Sequence, residues 1–314
     1  MSDINGQCIL LTGATGFVGS HLARRLVQER CELHAVVRPG ADLSALDGLG
    51  SCLTIHSHDG STEDLVRTVA DVRPELVFHL ASLFLSEHAS ADVERLVAAN
   101  VLFGTQLLES MDKAGVRLLV NTGTSWQHFQ GADYSPVNLY AATKQAFEAI
   151  LGYYIEAAEF TAVTLKLYDT YGPGDKRPKL LRLLQNVAEQ GEPLAMSPGE
   201  QLIDLVYIDD VIDAFLVAGG LLLDGRTKGH CSYAVSSSAP VRLRDLVAVF
   251  SRALGREIPI VWGGRPYRSR EVMEPWQGPA LPGWAPKVTL EEGFRKFLGH
   301  SGLLEREEGP AARV

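Results

Sequence analysis

The chain has 314 residues and a formal net charge of -9, with 46% apolar and 21% charged residues. This length suits one large α/β unit, or a large domain that carries a smaller one. The acidic balance disfavours a nucleic-acid-binding surface, although it leaves room for a local basic pocket that binds a phosphorylated ligand.

Short apolar runs alternate with longer amphipathic stretches in the first half of the chain. The runs predict β-strands and the stretches predict α-helices. In chain order the predicted elements are strand Cys8–Thr12, helix Val18–Glu29, strand Glu32–Val37, strand Cys52–His56, helix Thr62–Asp71, strand Leu76–Leu80, helix Asp92–Ala114, strand Leu118–Asn121, helix Leu139–Ala157 and strand Ala162–Leu167. Apolar strands separated by helices indicate a parallel sheet covered on both faces. The predicted fold class is therefore α/β, with a doubly wound parallel sheet. Frequent Gly and Pro residues after Tyr171 indicate shorter elements and a smaller, loop-rich C-terminal lobe.

The glycine-rich segment GATGFVG joins the first predicted strand to the first predicted helix. Its glycines permit a tight turn and let backbone N–H groups approach a pyrophosphate at the helix N-terminus. A trio of this kind after the first strand predicts a dinucleotide site, although the spacing is GxxGxxG rather than GxGxxG. The cofactor-binding residues expected here are Gly13, Thr15, Gly16, Phe17, Val18 and Gly19.

Arg38 follows the second predicted strand, where a site for NAD usually carries Asp or Glu to hold the ribose hydroxyls. A guanidinium at this point binds the 2′-phosphate of NADP bidentately, and no carboxylate repels that phosphate. We therefore predict NADP as the cofactor, with NAD as the alternative. Asp59 and Gly60, just after the third strand, are placed to meet the adenine edge, although a simple turn explains the Asp nearly as well.

Tyr140 and Lys144 lie four residues apart at the start of a predicted helix, so they share one face. A free tyrosine titrates near ~10, which is too high for efficient proton transfer at neutral pH. An ammonium ~5 Å away at an effective dielectric of ~20 stabilises the phenolate by about 3 kcal/mol, or roughly two pKa units. The pair therefore predicts a proton-transferring tyrosine.

Hydroxyl side chains stand at the end of the fifth predicted strand, at Thr122, Thr124 and Ser125. In open α/β sheets this edge lines the ligand crevice, where a hydroxyl hydrogen-bonds a substrate carbonyl. For Thr122 and Ser125 a cap or turn role is the alternative interpretation.

The four cysteines, Cys8, Cys31, Cys52 and Cys231, lack CxxC spacing. We interpret them as reduced thiols in a reducing compartment, with no disulfide and no bound metal. No signal peptide is visible, and no apolar run approaches the ~18–20 residues that a membrane helix needs. The expectation is a cytoplasmic protein without membrane or nucleic-acid partners.

The motifs GATGFVG, FHLAS, NVLFGTQLLE, TGT, YxxxK, KLYDTYGPGD and DLVYIDDVIDA follow one another in this order. Together they resemble the extended short-chain dehydrogenase/reductase family, which contains nucleotide-sugar epimerases, dehydratases and ketoreductases. The resemblance covers Cys8 to Leu298. It implies a Rossmann domain over residues 1–170 plus about 204–235, a substrate lobe over about 171–203 plus 236–300, and a flexible tail over 301–314.

The resemblance also implies roles for single residues. Thr124 matches the catalytic Ser/Thr of the family, Tyr140 its acid/base, and Lys144 the residue that holds the nicotinamide ribose and tunes the tyrosine. Further cofactor contacts are implied for Leu80, Ala81, Ser82, Asn100, Thr122, Leu167 and Thr170. Substrate contacts are expected from Ser125, Trp126, Gln127, His128, Asp169, Lys179, Arg182 and Arg268.

The residues after Thr124 bear on which reaction the chain performs. Sugar 4,6-dehydratases carry an Asp–Glu pair there, whereas this chain has Ser125 and Trp126. Arg38 disfavours the epimerases, which hold NAD. The chain looks most like reductases of nucleotide-linked 4-keto-6-deoxyhexoses of the abequose/paratose synthase type, and we predict that activity. A nucleotide-sugar epimerase and a non-catalytic dinucleotide sensor are the alternatives. Because helices Asp92–Ala114 and Leu139–Ala157 resemble the family's dimer bundle, a homodimer is expected.

Overall fold

The structure is a computed structural model, and it describes residues 4–300. The chain first forms β1 (Cys8–Thr12), α1 (Phe17–Gln28), β2 (Glu32–Val37), β3 (Leu53–Ser57), α2 (Thr62–Val72), β4 (Leu76–His79), α3 (Val93–Val97), α4 (Phe103–Ala114), β5 (Leu118–Thr124), α5 (Leu139–Ala158) and β6 (Thr161–Leu167). It then forms β7 (Asp169–Tyr171), α6 (Leu180–Gln190), β8 (Leu194–Met196), β9 (Leu202–Ile203), β10 (Leu205–Tyr207), α7 (Ile208–Leu223), β11 (His230–Val235), β12 (Val241–Arg242), α8 (Leu243–Leu254), β13 (Ile260–Trp262) and α9 (Leu290–His300). None of the helices in residues 4–300 is long and apolar enough to span a bilayer. The tail predicted over 301–314 lies outside the described residues.

The central sheet has seven strands, all parallel, in the order β11-β6-β5-β4-β1-β2-β3. Strands β1 to β6 have the spatial order β3-β2-β1-β4-β5-β6, which is the order of a doubly wound dinucleotide-binding sheet. The direction of winding reverses between β1 and β4. The predicted fold class is confirmed. β1 and β2 have the predicted bounds, whereas β5 continues to Thr124 instead of ending at Asn121.

The chain divides into two compact units. The first comprises residues 4–168, Val211–Val235 and Trp276–Trp284, and it holds the seven-stranded sheet. The second comprises Asp169–Asp210, Ser236–Pro275 and residues 285–300. Sequence analysis expected Trp276–Trp284 in the substrate lobe, but the Ala234 N–H donates to the Pro279 carbonyl at 2.8 Å and ties this segment to β11.

The second unit is built from short elements. β7 pairs with β10 and β8 with β13, both in parallel, while β9 and β12 are antiparallel. Helices α8 and α9 pack through Phe250 and Phe294, whose rings lie 5.2 Å apart. Frequent Pro and Gly residues after Tyr171 keep these strands short.

Side-chain caps fix where two helices of the first unit begin. Ser61 Oγ accepts from the Asp64 N–H at 3.2 Å before α2, and Asn138 Oδ1 accepts from the Ala141 N–H at 2.9 Å before α5. Helix α1 begins after Gly16 without a side-chain cap and without an acidic residue in its first turn. Such an N-terminus offers its backbone N–H groups and its positive dipole end to an anion.

The helix predicted over Asp92–Ala114 contains a π-helical turn, so it is not α-helical throughout. Helix α3 ends at Val97, a π-helical turn occupies Ala98–Leu102, and α4 begins at Phe103. A π turn closes i→i+5 hydrogen bonds and accommodates an extra residue. Asn100, within this turn, is buried.

In the loop between β1 and α1, two glycines lie very close to neighbouring backbone atoms. A Cβ atom on Gly19 would lie 2.0 Å from the Gly13 carbonyl oxygen. A Cβ atom on Gly13, which has a φ of +77°, would lie 2.6 Å from the Ala81 backbone nitrogen. Both obstacles are backbone atoms of the sheet edge, so packing imposes glycine at both positions.

Candidate active site

The predicted catalytic residues lie at the carboxyl end of β5 and in the first turns of α5, both within the first unit. Thr124 ends β5 and is buried. Its Oγ1 accepts a hydrogen bond from the Trp126 N–H at 3.3 Å. In residues 4–300 no acceptor takes the Thr124 hydroxyl hydrogen. A threonine hydroxyl has one hydrogen to donate, so this one is available to an incoming oxygen.

Tyr140 and Lys144 occupy successive turns of α5, but their surroundings differ. The half-buried Tyr140 ring meets the Phe84 ring edge-on, with centroids 5.0 Å apart. Phe84 in turn lies 5.7 Å from the Trp126 ring, so two aromatic residues stand beside the phenol. Lys144 is only 3% exposed. Burial lowers the pKa of its ammonium to about 8, an effect that Glu148 opposes and Lys166 reinforces.

A buried polar network lies behind Thr124. Lys166 Nζ donates to both Glu148 oxygens at 2.7 Å, and Gln127 Nε2 donates to Glu148 Oε1 at 3.0 Å. Gln127 Oε1 accepts from the Thr124 N–H at 3.0 Å. Gln127 was expected to face the substrate, and this expectation is corrected: its side chain is fully buried, and both ends of its amide are engaged within the protein. Gln127 holds Thr124 in place instead.

Asn100 also requires a correction, because it was expected to contact the cofactor. It is 2% exposed, and its amide bonds to the Leu83 N–H at 2.7 Å, the Leu83 carbonyl at 3.0 Å and Thr143 Oγ1 at 2.9 Å. Ser82 Oγ donates to the same amide oxygen at 3.2 Å. The asparagine therefore anchors the segment after β4 to α5 and has no capacity left for a ligand.

The residues at the β1–α1 turn fit a dinucleotide. Glycines Gly13 and Gly19 leave a cradle that a Cβ atom would fill, and α1 presents an uncapped N-terminus above it. Arg38, directly after β2, is exposed, and no ion pair joins it to another described residue. On β5 the Thr122 hydroxyl is buried without a partner in the described part of the chain. The chain thus offers a phosphate loop, a cation and an unsatisfied hydroxyl along one sheet edge.

The other predicted cofactor residues of the first unit lie in loops, at strand ends or in the first turn of α1. Asp59 accepts from the Ser61 N–H at 2.8 Å, which lowers the pKa of its carboxyl, and the Gly60 carbonyl accepts from Gln106 Nε2 at 3.0 Å. Thr15, Phe17, Val18, Leu80, Ala81, Ser82 and Leu167 are all at least partly exposed on the turns and strand ends of this unit. The loop after β3 is therefore an ordered Asx turn with the Asp59 carboxylate at its surface.

Among the predicted substrate residues, Ser125, Trp126 and His128 follow β5. The His128 ring stacks on Trp276, with centroids 4.0 Å apart and planes 11° apart. Burial, reinforced by Lys166, lowers the pKa of His128, so the imidazole is neutral at pH 7. The first unit thus carries an aromatic and neutral surface on the segment after Thr124.

The remaining predicted residues belong to the second unit. Lys179 Nζ pairs with Asp169 at 2.9 Å, and Arg182 donates to Gln185 at 3.4 Å. The Arg268 N–H donates to Glu271 at 3.3 Å, and the buried Thr170 offers its carbonyl to Arg177 at 2.8 Å. The expected substrate cation Lys179 is therefore already paired with an expected substrate carboxylate.

Sequence reasoning missed Glu148 and Lys166. Two signals could have found them. Glu148 lies four residues after Lys144 on the same helix, and Lys166 is the one charged residue in the strand Thr161–Leu167. Charged side chains at such positions are rarely buried unless they are paired.

A family model described as the NAD dependent epimerase/dehydratase family matches residues 9–228. The chain is 25% identical over 302 residues to a CDP-abequose synthase of Salmonella muenchen, covering 95% of this chain and 99% of that protein. It is 27% identical over 317 residues to a UDP-glucose 4-epimerase of Mycolicibacterium smegmatis, covering 92% and 96%. The solved UDP-N-acetylglucosamine 4-epimerase from Methanobrevibacter ruminantium M1 superposes with a TM-score of 0.83 at 18% identity, over 95% of this chain and 98% of that one. At this identity the superposition shows the fold.

Proposed function

Because the chain belongs to the NAD dependent epimerase/dehydratase family, we propose that it is an enzyme of nucleotide-sugar metabolism that uses NADPH to reduce the keto group of a nucleotide-linked 4-keto-6-deoxyhexose. The observation that carries this proposal is that Thr124 ends β5 and that Tyr140 and Lys144 lie in the first turns of α5, with the Phe84 ring in contact with both Trp126 and Tyr140. Thr124 has a hydroxyl hydrogen to donate, and Lys144 is a buried ammonium without a hydrogen bond or ion pair to any residue in 4–300.

Each residue of this group has a distinct role in carbonyl reduction. The Thr124 hydroxyl donates a hydrogen bond to the substrate carbonyl oxygen and orients it. Tyr140 then transfers its phenolic proton to that oxygen as negative charge develops there. The Lys144 ammonium stabilises the phenolate that remains. The Gly13–Gly19 turn, the N-terminus of α1 and Arg38 would hold the dinucleotide, which would supply the hydride.

Two observations favour reduction over dehydration. Trp126 stands where the dehydratases carry a carboxylate, and an indole cannot remove a proton. Glu148, the carboxylate one turn beyond Lys144, is buried and engaged by Lys166 and Gln127, so it is not available as a base. Reduction requires only one proton donor, and Tyr140 supplies it.

A nucleotide-sugar 4-epimerase is the second candidate, favoured by the 27% identity to a UDP-glucose 4-epimerase over 92% of this chain. Purified protein mixed with NADPH and a panel of CDP-, dTDP-, GDP- and UDP-linked 4-keto-6-deoxyhexoses separates the two. We expect the absorbance of NADPH to fall and one of the sugar nucleotides to be converted to its reduced product. Inversion of a 4-hydroxyl sugar without added cofactor, and no NADPH oxidation with any ketosugar, would establish the epimerase instead.

The cofactor preference is tested at Arg38. An Arg38→Asp substitution replaces a phosphate-binding cation with a carboxylate that repels the 2′-phosphate and binds ribose hydroxyls. We expect the ratio of kcat/KM for NADPH to that for NADH to fall by about 100-fold, since a charge-assisted bond contributes about 1.5–3 kcal/mol. Arg73→Asp, a change at another arginine of this unit, is the control and should leave the ratio unaltered. An unchanged ratio in Arg38→Asp would contradict NADP recognition by this residue.

We also propose a homodimer formed through the helices α3, α4 and α5. Large apolar side chains are exposed along this stretch: Leu102, in the π turn between α3 and α4, is 53% exposed, and Tyr153, on α5, is 65% exposed. Val93 and Val97 on α3 are exposed as well. A second copy of the chain would cover this face, as the family resemblance implies.

Leu102→Glu tests the dimer, because it would bury a carboxylate in an apolar contact. Light scattering coupled to size exclusion should report a dimer for the wild type and a monomer for Leu102→Glu. Val261→Glu is the matched control, since Val261 is 51% exposed on β13 of the second unit, and this variant should remain dimeric. A monomeric wild-type protein would disprove the assembly.

A further inference from the structure

Lys166 and Glu148 form a buried ion pair that the proposed chemistry does not use. The side chains are 3% and 7% exposed, and Lys166 Nζ lies 2.7 Å from each Glu148 oxygen. Gln127 supplies a third donor to Glu148. Two charges this deeply buried are tolerated only because each satisfies the other. The pair joins β6 to α5 directly behind Thr124.

Glu148 is also the helical neighbour of Lys144. The two residues lie four apart on α5, the spacing at which a lysine and a glutamate form an ion pair on a helix. No such pair forms: no contact within 4 Å joins Lys144 Nζ to Glu148 in the described chain, because both Glu148 oxygens already face Lys166. Lys144 is left buried without a hydrogen-bond partner there.

We propose that Lys166 is a positioning residue for Lys144: by engaging both oxygens of Glu148, it prevents Glu148 from capturing the Lys144 ammonium and leaves that ammonium available to Tyr140. Removing Lys166 would leave Glu148 as an unpaired buried carboxylate, with Lys144 as the ammonium one helical turn away. This inference rests on the proposed function, since it assigns Lys166 a part in that site.

The other groups around Lys144 do not compete for it. His79 on β4 is fully buried, and burial, with a smaller contribution from Lys144, lowers the pKa of its imidazole to about 3, so it is neutral. His79 is already hydrogen-bonded to Thr12 Oγ1 at 2.8 Å. Tyr140 shares the helix face with Lys144. Glu148 and Lys166 are therefore the charged residues that affect the Lys144 ammonium.

The backbone is shaped to admit the Lys166 side chain. A Cβ atom on Gly123 would lie 2.7 Å from Lys166 Cδ and 3.0 Å from Gln127 Oε1. Glycine at this point of β5 lets both side chains reach Glu148 beneath the strand. The route of Lys166 to Glu148 therefore depends on a residue next to Thr124.

Three variants test the proposal. Lys166→Met removes the ammonium at similar length, Lys166→Arg keeps a bidentate cation, and the double variant Lys166→Met/Glu148→Gln removes both charges. Lys113→Met is the control, because the ion pair of Lys113 with Glu109 is exposed on α4, whereas that of Lys166 with Glu148 is buried. Urea unfolding of each protein confirms that it is folded under the assay conditions.

The first readout is independent of turnover and of the cofactor. The chain contains only eight lysines, so 13Cε-lysine NMR of the unliganded protein resolves Lys144, which a Lys144→Met spectrum assigns. We expect its titration midpoint to rise by about one pH unit in Lys166→Met, because Glu148 then stabilises its charge. The midpoint should return to the wild-type value or below in the double variant, and stay unchanged in Lys113→Met and nearly so in Lys166→Arg.

The second readout is ketosugar reduction. Lys166→Met should lose at least about tenfold in kcat, because the Lys144 ammonium then pairs with Glu148 and no longer supports Tyr140 as the general acid. The double variant should recover part of that loss. An unchanged Lys144 midpoint in Lys166→Met, or a double variant no more active than the single one, would overturn the proposal. If the wild-type protein reduces no ketosugar, the proposed function fails, while the NMR titration still decides whether Lys166 keeps Glu148 from Lys144.

Discussion

Tyr140→Phe is expected to lower kcat for ketosugar reduction by about three orders of magnitude, the range that general acid catalysis contributes. The substitution removes one oxygen and keeps the ring, so the edge-on contact with Phe84 and the start of α5 are retained. Dinucleotide affinity should stay within about threefold of wild type, because phenylalanine preserves the packing and removes only one hydroxyl. Stopped-flow single-turnover kinetics measure the proton-transfer defect, and NADPH fluorescence titration measures binding.

Tyr134→Phe is the matched control, since Tyr134 is 52% exposed and has no part in the proposed proton transfer, so this variant should give wild-type rates. A dinucleotide sensor would keep both cofactor binding and its biological output in Tyr140→Phe. Retention of full turnover would show that another group donates the proton and that the site is wrongly assigned.

Gly19→Ala should abolish dinucleotide binding and destabilise the protein. Its methyl group would meet the Gly13 carbonyl oxygen at 2.0 Å, so β1 and α1 must separate or the turn must deform. Overpacking of this kind costs about 1–3 kcal/mol of folding stability. The deformed turn also withdraws the backbone N–H groups and the helix N-terminus from the pyrophosphate.

Urea unfolding with and without NADPH measures both effects in one experiment. The wild type should gain stability with cofactor, by RT ln(1 + [L]/Kd), whereas Gly19→Ala should gain none. Gly299→Ala is the control: it lies on α9, nothing lies within 4 Å of the added methyl, and the substitution favours helix. Normal cofactor stabilisation of Gly19→Ala would show that the β1–α1 turn does not hold the pyrophosphate.

The sheet was predictable because each strand is a short apolar run bounded by turn residues. Cys8–Thr12 and Glu32–Val37 carry this signal cleanly, and both have the predicted bounds. β5 was predicted too short, because its last residues Thr122, Gly123 and Thr124 are polar or small and resemble a loop. They remain in the sheet because β6 pairs with them residue by residue.

Site residues were predictable as candidates where a backbone or a spacing motif defines them, as for Gly19, Tyr140 and Lys144, and their roles stay predictions. The roles of the amide residues Gln127 and Asn100 were not predictable, because an amide group has the same chemistry whether it binds a ligand or forms hydrogen bonds within the protein. Only the structure shows that their hydrogen-bonding capacity is used internally. The Glu148–Lys166 pair joins a helix to a strand, and no local pattern links two such residues.

The π turn at Ala98–Leu102 makes this stretch sensitive to length rather than to composition. Asn100 reaches both the segment after β4 and Thr143 of α5 only because an extra residue sits in the helix. Deleting any one residue there would restore regular helical winding and rotate the preceding turn by about 100° relative to α4. The Asn100 amide would then lose its hydrogen bonds to Leu83 and Thr143, even though no other side chain had been changed.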